Sequence, residues 1–224
     1  MSHIIPLQQQ AYDNLKEMIV NERLKYGKIY SERQISEQMY ISRTPFREAL
    51  QRLSQDGYVD ILPQRGFMLH PLTKEDVVSI YQMRTAIESY CLIQYAMDAG
   101  SDKVQSILQQ LEDCARRQDS CLEQTPDFLR YVDLDCEFHR IIVFGLGNAL
   151  FEEAFERYAY RLFRITRMTL TLKERLECST EEHRAIIDIV RRGQHQQVYQ
   201  WLFGHIHSSM RVALELMEQQ QINQ

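Results

Sequence analysis

The sequence predicts a mainly α chain in two parts, and three observations carry that prediction. Apolar residues recur at helical spacing along almost the whole length. Strand-like runs occur only beside a Gly-containing turn, as Tyr58-Val59-Asp60-Ile61-Leu62 and Phe67-Met68-Leu69. From Lys74 onward Gly and Pro become scarce, and no alternating pattern of any length interrupts the helical one. Residues 1–72 are therefore expected to form a head and residues 73–224 an all-helical bundle.

Within the head, Ala11, Tyr12, Leu15, Met18 and Ile19 lie on one face of a helix over about 8–21. Ser31-Glu32-Arg33-Gln34 has the form of a capping box and opens a short helix to about Met39. Tyr40-Ile41 makes a tight connection, after which Ser42 or Thr44 caps a helix with Pro45 in its first turn. That helix stops at the Asp56-Gly57 turn, and a hairpin follows around Pro63-Gln64-Arg65-Gly66. Helix, helix, helix, hairpin is the order of a winged helix-turn-helix.

In the second part, helices are expected near 74–98, 102–119, 126–144, 149–172, 180–192 and 195–219. Gly100-Ser101, Pro126, Gly145-Leu146-Gly147-Asn148, Ser179 as a cap, and Gly193 separate them.

Composition narrows the function classes. Hydrophobic residues make up 44% and charged residues 25%, an ordinary globular balance. No run of about 18 apolar residues exists to span a membrane, and Met1 to Pro6 lacks the basic flank and apolar core of a secretory signal. Five cysteines without a C-x-x-C pair read as free thiols in a reducing cytoplasm. The net charge is −5, unevenly spread: nine Lys/Arg against eight Asp/Glu over 1–72 leave +1, and 17 against 23 in the remainder leave −6. A near-neutral head with clustered arginines still permits DNA contact.

Ser42-Arg43-Thr44-Pro45-Phe46-Arg47 carries that reading. Arg43 and Arg47 stand four apart, on one face near the start of the helix that would enter the major groove. Arginine pairs bidentately with guanine O6 and N7 there. Thr44 suits a phosphate or a thymine methyl, and Arg33 suits the backbone. Arg65-Gly66 at the hairpin tip suits the minor groove, where Gly would allow close approach. One helix-turn-helix covers a half-site, so a homodimer on a palindromic double-stranded operator is expected.

Four polar residues fall where the second part should be apolar. Asp135 and His139 are four apart on the stripe of Phe128, Tyr131, Val132, Phe138 and Ile142. His183 shares a face with Ile186, Ile187 and Val190, and His205 shares one with Val198, Trp201, Leu202 and Val212. An Asp and three His converging between helices are either hydrogen-bonded core residues or a divalent transition-metal site for Zn, Ni, Mn or Fe. His195, at a helix start, and His207, two residues from His205, point elsewhere.

The stretch from Ser31-Glu32-Arg33 through Gly66, with its Ser-Arg-Thr-Pro-x-Arg-Glu-Ala-Leu core and closing Pro-x-Arg-Gly, resembles regulators of the GntR family. The resemblance implies operator contacts at Arg33, Arg43, Arg47 and Gly66. Glu22 and Tyr26 stand where that family usually has Gly and Pro, which predicts a differently shaped turn. The second part is similar to the FCD ligand-binding domain of the FadR-type subfamily. The matching residues are Asp135-x-x-Phe138-His139, Gly147-Asn148-x-x-Phe151, Glu182-His183-Arg184 and His205. It implies that Asp135, His139, His183 and His205 hold the ion and leave positions open for a small carboxylate effector. Arg84 matches an arginine often placed near the effector, with a surface pair to Glu88 as its alternative. Asn148 either lines the pocket or caps a helix.

A metabolite-responsive regulator is the reading these features favour. A metal-free dimerisation module would keep DNA binding without a ligand. A metal-dependent hydrolase would need a unit such as H-E-x-x-H, which the sequence lacks, and would leave the head without a role.

Overall fold

The structure, a computed structural model, describes residues 5–21, 23–122 and 127–222. It divides into two compact units, Met1–Leu72 and Thr73–Gln224.

In the first unit, α1 (Leu7–Val20) buries Ala11, Tyr12, Leu15 and Ile19 along one stripe, as its periodicity requires. The short α2 (Glu32–Gln38) begins at Ser31, whose hydroxyl accepts from Gln34 N at 3.4 Å. The reciprocal arm of the expected capping box, from Gln34 back to Ser31, is not among the bonds formed. Tyr40 takes a left-handed φ of 54° in the connection and leaves its side chain in solvent. Next, α3 (Arg43–Gln55) buries Phe46, Ala49, Leu50 and Leu53. Ser42 is the N-cap of α3, one of the two expected residues, but its side chain makes no capping bond. Strands β1 (Val59–Leu62) and β2 (Gly66–Leu69) pair antiparallel, with Ile61 opposite Phe67.

A third partner joins this hairpin. Tyr30 bridges Phe67 through two backbone bonds of 2.7 and 3.0 Å, tying the entry to α2 onto β2. Phe67 meets Phe46 with ring centroids 6.3 Å apart in a tilted arrangement, so hairpin and α3 share one core. Of the two unusual residues before α2, Glu22 lies outside the described residues, and Tyr26 opens a turn in which Gly27 takes φ 74°.

The second unit contains α4 (Lys74–Met97), α5 (Asp102–Ser120), α6 (Phe128–Leu146), α7 (Ala149–Thr169), α8 (Lys173–Arg191) and α9 (His195–Ile222). A Thr73–Asp76 capping box starts α4, and the left-handed Gly147 ends α6. Helix α4 packs on α6, α7, α8 and α9, and α5 packs on α6 and α8. Tyr81, Tyr131, Phe138, Leu92 and Leu108 are fully buried between them, each worth roughly 1.5–3 kcal/mol of burial. No helix among the described residues is long and apolar enough to cross a membrane.

Two expectations for this half are corrected. Helix α8 starts at Lys173 rather than near 180, and Ser179 is no cap but a buried interior residue donating to Asp135 Oδ1 at 3.0 Å. Nothing breaks the helix before Ser179, and burial supplies its hydroxyl with a partner stronger than a backbone amide. Trp201 turns outward, 46% exposed, although Val198, Leu202 and His205 on the same helix are buried. The expected break at Pro126 lies outside the described residues.

Candidate metal centre and nucleic-acid interface

In the first unit, Ser31, Glu32, Arg33, Arg43, Arg47, Gln64, Arg65 and Gly66 line one cleft. Arg33, Arg43, Arg47 and Arg65 come from three separate segments, and the fold gathers them there with their side chains exposed. Ser42 and Thr44 stand exposed at the start of α3 without lining that cleft. Arg47 Nε donates to Glu32 Oε2 at 2.7 Å, and Arg33 Nε donates to Glu37 at 2.7 Å. The Glu32 carboxylate holds Arg47 across the cleft, a partner the sequence did not suggest. Gly66 is needed for a reason other than the expected approach to DNA. At φ 115°, a Cβ there would lie 2.0 Å from the Tyr30 carbonyl oxygen.

In the second unit, His139 from α6, His183 from α8 and His205 from α9 meet in the interior. One ligand atom from each lies within 4.8 Å of the others. All three side chains are buried, and His183 stacks on Phe138 at 3.8 Å. Asp135 stands at the margin, its Oδ1 3.7 Å from His183 Nε2. His195 is exposed and His207 stacks on Phe203, so neither joins the group.

The hydrogen bonds fix which nitrogen of each ring is free. Glu88 Oε2 accepts from His139 Nδ1 at 2.6 Å, and Glu182 Oε2 accepts from His205 Nδ1 at 2.6 Å. Burial alone would raise the Glu88 carboxyl, but Arg84 and His139 outweigh it and hold it down to about 2. Glu182 is likewise lowered against its burial by His205 and Arg175. Both carboxylates are ionised acceptors, so both imidazoles carry their proton on Nδ1. Gln118 Oε1 accepts from His183 Nδ1 at 3.0 Å and does the same for the third ring.

Three Nε2 lone pairs therefore face one locus. His139 Nε2 and His205 Nε2 lie 3.2 Å apart, and His183 Nε2 is buried without a hydrogen-bond partner. Leaving the His183 atom unsatisfied costs about 1–3 kcal/mol, and with both other rings protonated on Nδ1 the 3.2 Å contact between them has no donor. A cation about 2.1 Å from His139 Nε2 and His205 Nε2 would span their 3.2 Å gap and would give His183 Nε2 the partner it lacks. Burial also depresses His183 well below its ordinary range and lowers His205, so both stay neutral and able to ligate at neutral pH. The donor set fits a transition metal, and the Nδ1 partners are of the kind that orient metal-bound histidines.

Arg84 is neither exposed nor a surface pair. It is 2% exposed, its Nε donates to Glu88 Oε1 at 2.8 Å, and its Nη2 is buried without a partner. Asn148 accepts from Leu150 N at 3.1 Å and so caps α7. Sequence reasoning missed Glu88, Gln118, Arg175 and Glu182. Glu88 had a signal, four residues from Arg84 on a helix, but periodicity does not tell a buried pair from an exposed one. Arg175 fell where a loop was expected.

Comparison with known proteins places each unit in a family. Residues 7–69 match the model of bacterial regulatory proteins of the gntR family, and residues 79–208 match that of the FCD domain. An HTH-type transcriptional regulator of Bacillus subtilis, YdhC, is 26% identical over 89% of this chain and 88% of its own length. The fatty acid metabolism regulator protein of Salmonella paratyphi C is 25% identical over 87% of this chain and 86% of its own. A GntR regulator from Rhodococcus sp. RHA1 shares the fold, with a TM-score of 0.77 over 93% of this chain and 97% of that one at 18% identity. These relatives are transcriptional regulators rather than enzymes, and the chain belongs with them: it is a GntR-family DNA-binding regulator carrying an FCD domain.

Proposed function

We propose that residues 73–224 hold a divalent transition metal on His139, His183, His205 and Asp135, and that a small carboxylate effector bound beside it changes operator affinity. The observation that carries this reading is the convergence of three buried Nε2 atoms whose Nδ1 partners already fix the ligating tautomer. Bound there, the metal supplies a Lewis-acidic centre for a carboxylate oxygen. Arg84 offers its unpaired Nη2 to the anion through a charge-assisted bond. Glu88, Glu182 and Gln118 orient the rings. Residues 1–72 supply the DNA interface: Arg43 and Arg47 read base edges, Thr44 and Ser42 meet phosphates, Arg33 touches the backbone, and Arg65 with Gly66 forms the wing. The regulator acts as a homodimer on a palindromic operator in the cytoplasm, with effector and operator linked through differential affinity.

Two measurements test this. Elemental analysis of the purified protein is expected to give close to one ion per chain, falling sharply in His183→Ala. Full occupancy in both His183→Ala and His205→Ala would refute the ligand set. On the best duplex selected from a random library, Arg47→Ala is expected to lower affinity about ten- to hundredfold and to relax base preference. Unchanged binding and preference would place the reading surface elsewhere.

A further inference from the structure

The fully buried Lys, Arg, Asp and Glu side chains among the described residues are Arg84, Glu88, Asp135 and Arg175, all in the second unit. They form one network around the histidines, joined by the half-buried Glu182. Glu88 bridges Arg84 and His139, with bonds of 2.8 and 2.6 Å. Glu182 bridges Arg175 and His205, at 2.8 and 2.6 Å. Asp135 adds a third carboxylate beside His183. Two guanidiniums thus face three carboxylates, which leaves one net negative charge. A divalent ion on the neutral imidazoles reverses this to one net positive charge.

The two arginines are not equivalent. The Arg175 Nη2 is already engaged by Glu182, Ser209 Oγ at 2.8 Å and the His205 carbonyl at 3.4 Å. Its 3.3 Å approach to His205 Nδ1 is between two donors that share the Glu182 oxygen. Arg84 is tied by Nε and keeps its buried Nη2 without a partner, close enough to His183 to depress that ring electrostatically. Arg84 Nη2 is thus the guanidinium nitrogen of this network that is buried without a partner among the described residues.

From the charge sum and the single free donor together, we propose that the pocket selects singly charged carboxylates over dicarboxylates, and that Glu182 sets this preference by neutralising Arg175. The inference rests on the metal reading above. A monoanion brings the loaded site to neutrality. A dianion overshoots and forces a second carboxylate to lose its water beside Glu88, Asp135 and Glu182, where the charge of Arg175 is already balanced by Glu182.

Isothermal titration of the full chain loaded with Zn2+ tests the preference. The probes are acids that differ only by the second carboxylate: propionate against succinate, and lactate against malate. Each monocarboxylate is expected to bind at least about tenfold tighter than its partner. Glu182→Gln keeps an acceptor for His205 but adds one positive charge, so the ratio is expected to move toward the diacid by about tenfold or more. A loaded protein that binds neither class, or binds the diacids as tightly, overturns the charge preference and leaves the metal site standing. An unmoved ratio in fully loaded Glu182→Gln overturns the role of Glu182. Failure to take up Zn2+ at all overturns the metal reading and this inference with it.

Discussion

Glu88→Ala is expected to destabilise the second unit by about 3–5 kcal/mol and to weaken metal binding about 10–100-fold. The carboxylate is wholly buried and shared between Arg84 Nε and His139 Nδ1. Removing it strands a buried guanidinium with no counter-charge and frees His139 to rotate or change tautomer. The two losses have different origins and separate in a second variant. With both Arg84 and Glu88 replaced by leucine, no unpaired charge remains, so much of the stability is expected to return while metal affinity stays low. Urea unfolding of the metal-free chain, followed by fluorescence of the lone Trp201 in this unit, measures the first quantity. Competition with a chelator measures the second. A Glu88→Ala protein within about 1 kcal/mol of the parent would mean that water enters this interior and screens Arg84.

Gly66→Ala is expected to be the most damaging single substitution in the DNA-binding unit. Its Cβ would lie 2.0 Å from the Tyr30 carbonyl oxygen and 3.0 Å from the Tyr30 carbonyl carbon, and backbone atoms have no rotamer by which to yield. The left-handed φ adds about 1–3 kcal/mol of strain. Relief requires β2 to separate from Tyr30, which breaks both bridge bonds to Phe67 and opens the core under α3. Gly27→Ala is the control. It has a similarly positive φ of 74° but nothing within 4 Å of the added atom, so only the conformational strain remains. Hydrogen exchange at the Tyr30 and Phe67 amides is expected to accelerate greatly in Gly66→Ala and little in Gly27→Ala. Operator binding is expected to fall with it. Equal protection in the two variants would show that the bridge does not hold the wing.

The two sites differed in how far the sequence exposed them. In the first unit, α3, the hairpin and the arginine cluster are legible because each depends on local chemistry: Pro45 in a first turn, Asp56-Gly57 as a stop, and Arg43 and Arg47 four apart. The Tyr30 bridge was not legible, since it joins residues 37 apart through backbone atoms that carry no residue signature. In the helical unit, the inward-facing His139, His183 and His205 were legible because an imidazole on an apolar stripe is conspicuous. Arg84 was legible as a residue near the effector, but its alternative, a pair with Glu88 on the surface, turned out to be a pair in the interior, and Ser179, read as a cap, lies inside α8.

The sequence by itself determined the order of helices and hairpin, the candidate contacts in the head, and which polar side chains would turn into the helical core. Local propensity and periodicity act over a few residues, and those features are written at that range. Only the tertiary structure decided that Glu88 and Glu182 hold two of the rings, that Gln118 holds the third, and that Arg84 keeps a buried Nη2 without a partner while the Nη2 of Arg175 is engaged. Those facts depend on side chains brought from distant segments into a low-dielectric interior. There the balance of charge belongs to the assembled site and to no segment of the chain.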